Sequence, residues 1–298
     1  MKLATTTNDF ARFGTFIDCV RWIHDAGFRY LDFGVSNREF LRDAGWRFEA
    51  EKLNDYAKSL GMTFIQMHSP ECAPIDPLKR EDAIAVTIRS IEIAAFMGIP
   101  QTVVHPGTRK GITKEEFFRE NRAFYHALLP TMEKTGVNVL VENTSKVNAP
   151  PEVYYDLYTG EEIAEFLRYM DHPLLHAVWD TGHATTDGGQ YEHLKALGKD
   201  LYGLHIHDNS GRADEHSYPY TGTLSLDELM HGLIDVGYQG YFTFEAFNLL
   251  HSKNGQKKRA FEQDERLRHA PLELHFTAEK LLYEIGRHCL TAYGVFEE

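Results

Sequence analysis

Eight short apolar runs recur along the chain, and seven of them close on Asp, Glu or His. In order they are LATTT from Leu3, RYLDF with Asp32, MTFIQMH to His68, PQTVVH to His105, VNVLVEN with Glu142, LLHAVWD to Asp180, LYGLHIHD with His205, His207 and Asp208, and YFTFEAF with Glu245. Runs of this length, rich in β-branched and aromatic residues, read as buried strands. Between them the apolar spacing turns helical, over Phe16–Ala26, Phe48–Leu60, Asp82–Met97, Lys114–Lys134, Gly160–Met170, Tyr191–Leu197 and Leu226–Val236. The chain beyond the last strand is mostly helical as well. Glycines at 27, 61, 98, 136 and 237 fall where a helix must stop before the next strand. Strand–helix alternation repeated eight times predicts a (β/α)8 TIM barrel. The length of 298 residues suits a single domain spanning 1–298, and no linker-like composition shift divides it.

In such a barrel the carboxyl ends of all strands meet on one face. Polar groups from separate parts of the chain should therefore share one pocket. A lone histidine at a strand end is more often a hydrogen-bonded core residue than a ligand. Seven charged or imidazole ends are hard to ascribe to packing, because buried charge is costly unless something binds it. A divalent cation is the simplest such partner, and mixed carboxylate and imidazole donors suit Mn²⁺, Co²⁺, Zn²⁺ or Fe²⁺. Glu142, Asp180 and Glu245, with His205 or His207, would make a four-donor site. The two histidines alternate to the same side of a strand. His207 lies nearer the strand's end and is the favoured ligand on that ground.

Composition narrows the function further. A formal net charge of −13 disfavours a nucleic-acid partner, which needs a basic surface. Three scattered cysteines form neither a disulfide framework nor a thiolate metal site, and fit a reducing cytoplasm. The N-terminal stretch lacks a signal-peptide core, and no run is long enough to span a membrane. The charged run 249–268 reads as a solvated loop and helix face.

Taken together, VHPG with His105, VEN with Glu142, WDTGH with Asp180 and His183, HIHDN followed by RADEH, and FEA with Glu245 resemble the xylose isomerase-like barrels. That superfamily holds sugar isomerases and epimerases and the endonuclease IV repair enzymes. The resemblance covers nearly the whole chain in order. It implies that Glu142, Asp180, His207 and Glu245 hold the metal and that Glu142 and Glu245 also exchange protons with a sugar carbon. It further implies sugar-binding roles for His183 and Arg212, and a homo-oligomer is common among relatives. His68, His105, His205, Asp214 and His216 complete the expected substrate pocket.

The reaction so implied is metal-dependent isomerisation or epimerisation of a sugar or related keto-polyol. Lewis-acid polarisation acidifies a C–H beside a carbonyl, a glutamate removes the proton to form a cis-enediolate, and the same or the opposite glutamate returns it. One alternative is an endonuclease IV-like phosphodiesterase, which uses a wider donor set for three zinc ions. Another is a partner-dependent lyase or dehydratase subunit that starts from the same proton abstraction.

Overall fold

The computed structural model describes the chain apart from residues 36–37, 149–151, 154, 186–188 and 251–269. Eight parallel strands form one sheet: β1 (Lys2–Thr6), β2 (Tyr30–Gly34), β3 (Thr63–His68), β4 (Gln101–Val104), β5 (Asn138–Glu142), β6 (Leu175–Asp180), β7 (Leu201–His205) and β8 (Tyr241–Phe244). Each strand pairs with its sequence neighbour, and β1 also pairs with β8. The last gap is bridged just past β7, where Ile206 donates to the Thr243 carbonyl at 2.9 Å and accepts from the Glu245 amide at 3.1 Å. The predicted single-domain barrel is thus the observed architecture.

Helices α1 (Phe16–Ala26), α2 (Arg38–Arg42), α3 (Trp46–Ser59), α4 (Arg80–Met97), α5 (Lys114–Thr135), α6 (Gly160–Met170), α7 (Thr181–Thr185), α8 (Tyr191–Leu197), α9 (Leu226–Asp235) and α10 (Leu272–Ala292) surround the sheet. Three begin with a reciprocal cap that satisfies free backbone amides: Thr15 with Asp18, Thr113 with Glu116, and Thr159 with Glu162. Helices α4 and α5 stop at Gly98 (φ 76°) and Gly136 (φ 74°), left-handed positions where a side chain would be strained. Helices α2 and α7 escape the periodicity reading because one and a half turns carry too little pattern. Of the charged run 249–268, only its first two residues lie within the described part.

The main apolar core lies between the outer face of the strands and the helices. It includes Leu31, Phe33, Ile91, Phe124, Val139, Trp179, Leu204 and Phe244. Inside the barrel the filling is different. A small apolar plug of Val103, Leu140 and Val178 is accompanied by a polar column. Gln101 donates to Gln66 Oε1 at 3.1 Å, and Gln66 Nε2 lies 2.9 Å from both Asp32 Oδ2 and His205 Nε2. This column carries the interior from the middle of the barrel to the acidic groups at its mouth.

Candidate metal centre and active site

The strand register decides which groups meet. Between β6 and β7 the pairing slips after Ala177, so that Asp180 lies opposite His205. Between β2 and β3 a similar slip puts Gln66 opposite Asp32. His205 ends β7 with its imidazole inside the barrel, Nδ1 2.6 Å from Glu142 Oε1 and 3.5 Å from Glu245 Oε2. Its Nε2 lies 3.0 Å from Asp32 Oδ2. Glu142, Asp180, His205 and Glu245 each offer a donor atom within 4.8 Å of the others, and all four are buried.

Among the described residues another set, His68, His205 and Glu245, overlaps this one, and two more donor groups flank it. His68, His105 and Glu142 form the first, with His105 Nε2 2.8 Å from Glu142 Oε2. His183, His207, Asp214 and His216 form the second. The geometry therefore groups His205, not His207, with the two glutamates. His207 Nε2 is 3.0 Å from the Asp180 carboxylate, but the chain has by then left the strand and turned toward the Asp208–Ser217 bridge. Height along the strand alone could not show that turn.

The sequence motifs acquire structural reasons. The Asn143 side chain both donates to the Asp180 carbonyl at 2.8 Å and accepts from the Asp180 amide at 2.7 Å, locking β5 to β6. Asp180 Oδ1 accepts from the His183 amide at 2.7 Å and so caps α7, which carries His183 into the pocket. Gly182 is required because a Cβ there would stand 1.9 Å from the His207 ring. Asp208 is taken up by the loop, accepting from the amides of Asn209, Gly222 and Leu224. His216, at φ 45°, stacks between His207 at 4.0 Å and Phe247 at 4.7 Å between ring centroids. Gln66 and Asn143 are supporting residues that composition and spacing do not reveal, since an amide in a strand carries no distinctive pattern.

Above these groups opens a cavity of 910 Å³. His68, His105, Glu142, His183, Asp214, His216 and Glu245 form its polar floor, with Ile75, Pro106 and Phe247 on its walls. Arg212 is exposed and is not among the residues lining it. Trp46 is buried against Phe96 and stands outside it.

Burial opposes a charged imidazole, yet Glu142 lifts His68 to about 9, and Asp214 with Glu245 lifts His216 to about 9. His183 and His205 are raised well above the ordinary value in the same way. Burial opposes ionisation of Glu142 and Asp180 too, but the surrounding imidazoles hold both below the usual carboxylate range. The acid-rich centre therefore demands positive charge, here supplied by protons on the histidines. A divalent cation meets the same demand and displaces those protons. The protein's own network also leaves Glu142 Oε2 and His207 Nδ1 buried without a hydrogen bond of good geometry. The donor chemistry and these spare atoms fit a metal of the Mn²⁺, Co²⁺ or Zn²⁺ kind.

The profile of the xylose isomerase-like TIM barrel matches residues 20–268. The chain belongs to that family. Its first two curated relatives are uncharacterised proteins, from Methanocaldococcus jannaschii at 26% identity and Sinorhizobium fredii at 28%. The matches cover 54% and 56% of this chain and 55% and 53% of those proteins, so the chain spans about half their length. Fructoselysine 3-epimerase of Escherichia coli O157:H7 is 49% identical over 49 residues, 16% of this chain and 18% of that protein. Among solved structures, D-psicose 3-epimerase from Clostridium cellulolyticum H10, determined with D-tagatose, superposes with a TM-score of 0.77 at 17% identity over 97% of this chain and 99% of that one. The IolI protein with a bound zinc atom gives 0.74 at 18% identity over 98% and 99%.

Proposed function

We propose that the protein is a divalent-metal-dependent epimerase or isomerase of a ketose or related keto-polyol. The observation that carries this reading is the buried group Glu142, Asp180, His205 and Glu245, two of whose carboxylates also line the cavity. The metal would be held by those four residues, and when bound would supply Lewis-acid polarisation of a substrate carbonyl. Glu142 and Glu245 come from β5 and the end of β8, so they reach the substrate from different strands. One takes the proton beside the carbonyl and the other returns it, which inverts a carbon; return to the adjacent carbon isomerises instead. His183 is held by its Nδ1 2.8 Å from the Asn143 carbonyl, which leaves Nε2 to face Asp214 and the substrate space. Sugar epimerases among the structural relatives and the short fructoselysine 3-epimerase match support the same class.

The test is elemental analysis of the purified protein, then solvent-deuterium exchange into D-tagatose, D-psicose and D-fructose with added Mn²⁺, Co²⁺ or Zn²⁺. Exchange that depends on metal and on both glutamates is expected. A protein that takes up no metal, or exchanges no ketose proton when loaded, would overturn the reading.

A second reading, an endonuclease IV-like phosphodiesterase, is favoured by one observation: the flanking donor groups provide places for more than one ion. The net charge of −13 opposes it, because phosphodiester binding draws on basic surface.

A further inference from the structure

We propose that Ser145 and Asp156, on the segment between β5 and α6, form a recognition subsite for the unphosphorylated, hydroxylated arm of the substrate. The inference rests on the ketose reading and adds which part of the sugar is recognised, and by what. Ser145 stands three residues after Glu142 and is 6% exposed. Its Oγ is buried, lines the cavity and makes no hydrogen bond. A hydroxyl so placed calls for a partner, and the cavity is where one can come from.

Asp156 is 5% exposed and lines the same cavity. Its Oδ1 accepts from the Leu157 amide at 2.9 Å, and among the described residues no Lys or Arg is paired with it. Burial raises its carboxyl to about 6, against the Leu157 amide, the Thr144 hydroxyl and His105, which favour the charged form. A group in this state gains from a hydroxyl that donates to it. His105 lines the same cavity, with its Nε2 2.8 Å from Glu142 Oε2. The subsite therefore shares its cavity with a proton-transfer carboxylate, along which the arm of a bound ketose would extend.

The charges beside Asp156 also disfavour phosphate. Arg109 is the one Lys or Arg among the described lining residues, and Glu120 at 2.9 Å and Glu116 at 3.5 Å already engage it. A phosphate in this part of the cavity would meet Asp156 instead.

The experiment is calorimetric binding of D-tagatose, D-psicose and D-fructose, and of their 6-phosphates, to the Mn²⁺-loaded full chain. At least one free ketose should bind, and its phosphate should bind about tenfold more weakly or worse. Ser145→Ala and Asp156→Ala should each weaken the free ketose by about tenfold, the scale of one lost hydrogen bond to a charged or buried group, with the larger part of the loss in KM rather than kcat. Asp156→Asn should narrow the preference for the unphosphorylated sugar. Ser145→Ala should keep the parent's melting temperature, because its Oγ has no internal partner to lose. Parent protein that exchanges ketose protons while both alanine variants bind as the parent does would overturn the subsite alone. Tighter binding of the phosphates would do the same. Absence of both binding and exchange in the parent would overturn the ketose reading and the subsite with it.

Discussion

His205 and His207 differ by two positions, yet the structure gives them separate company. His205 lies between Glu142, Glu245 and Asp32, whereas His207 stacks on His216 and touches Asp180. This separation makes a direct prediction. His205→Ala should lose the metal at the four-donor centre, seen as loss of about one equivalent by elemental analysis. His207→Ala should retain that equivalent. Equal loss in both would mean that the two imidazoles serve one ion. For the glutamates, Glu142→Gln and Glu245→Gln preserve size and one oxygen donor. Each should lower metal-saturated proton exchange by ~10²-fold or more, the scale of a removed general base. Near-parental exchange in both variants would exclude the proton-transfer scheme.

Two elements carry demands that their own sequence does not announce. Helix α7 must pass close to the His207 ring, and only glycine at 182 allows it. Gly182→Ala should destabilise the fold by roughly 1–3 kcal/mol through overpacking, read from urea unfolding, and should displace His207. Unchanged stability and metal content would show that the ring can move at no cost. Helix α10 buries Glu279 against β1 with neither oxygen in a good hydrogen bond. Burial, with the Asp9 charge in support and Thr5 in opposition, holds its carboxyl protonated well above 4.5. Burial likewise raises Asp9 to about 7, against Arg12. A raised carboxyl contributes stability that is complete below its unfolded value and fades as the pH climbs toward its folded one. The protein should therefore lose stability from about pH 4 to 7 through Asp9, and further through Glu279. Glu279→Gln should remove the second part, so its advantage over the parent should grow with pH above 4.5. A constant difference from pH 4 to 9 would show that Glu279 is not protonated in the fold.

At the scale of the whole molecule, the barrel gathers donors from β5, β6, β7 and the end of β8 onto one face. The net charge of −13 opposes the approach of a polyanion to the protein. The protein should bind duplex DNA weakly and should leave abasic-site DNA intact with Zn²⁺ present. Strong binding that falls steeply with salt, together with metal-dependent incision, would favour the phosphodiesterase reading. Among the described residues no helix is long and apolar enough to cross a membrane.

Alternation of apolar period determined the barrel from the sequence alone, because eight strand–helix repeats admit few other closed arrangements. The same reading placed His68, His105, Glu142 and Asp180 at or next to strand ends, since a strand's polar terminus is visible as the residue where its apolar run stops; Asp32, expected at the end of its strand, instead lies inside β2, which runs on through Phe33 to Gly34. Tertiary structure decided the rest. The slips after Ala177 and Leu31 set Asp180 against His205 and Gln66 against Asp32, and a register shift leaves no trace in periodicity. Gln66 and Asn143 gain their roles only through strands they pair with. Ser145 and Asp156, eleven positions apart, line one cavity, a proximity that no local sequence preference announces.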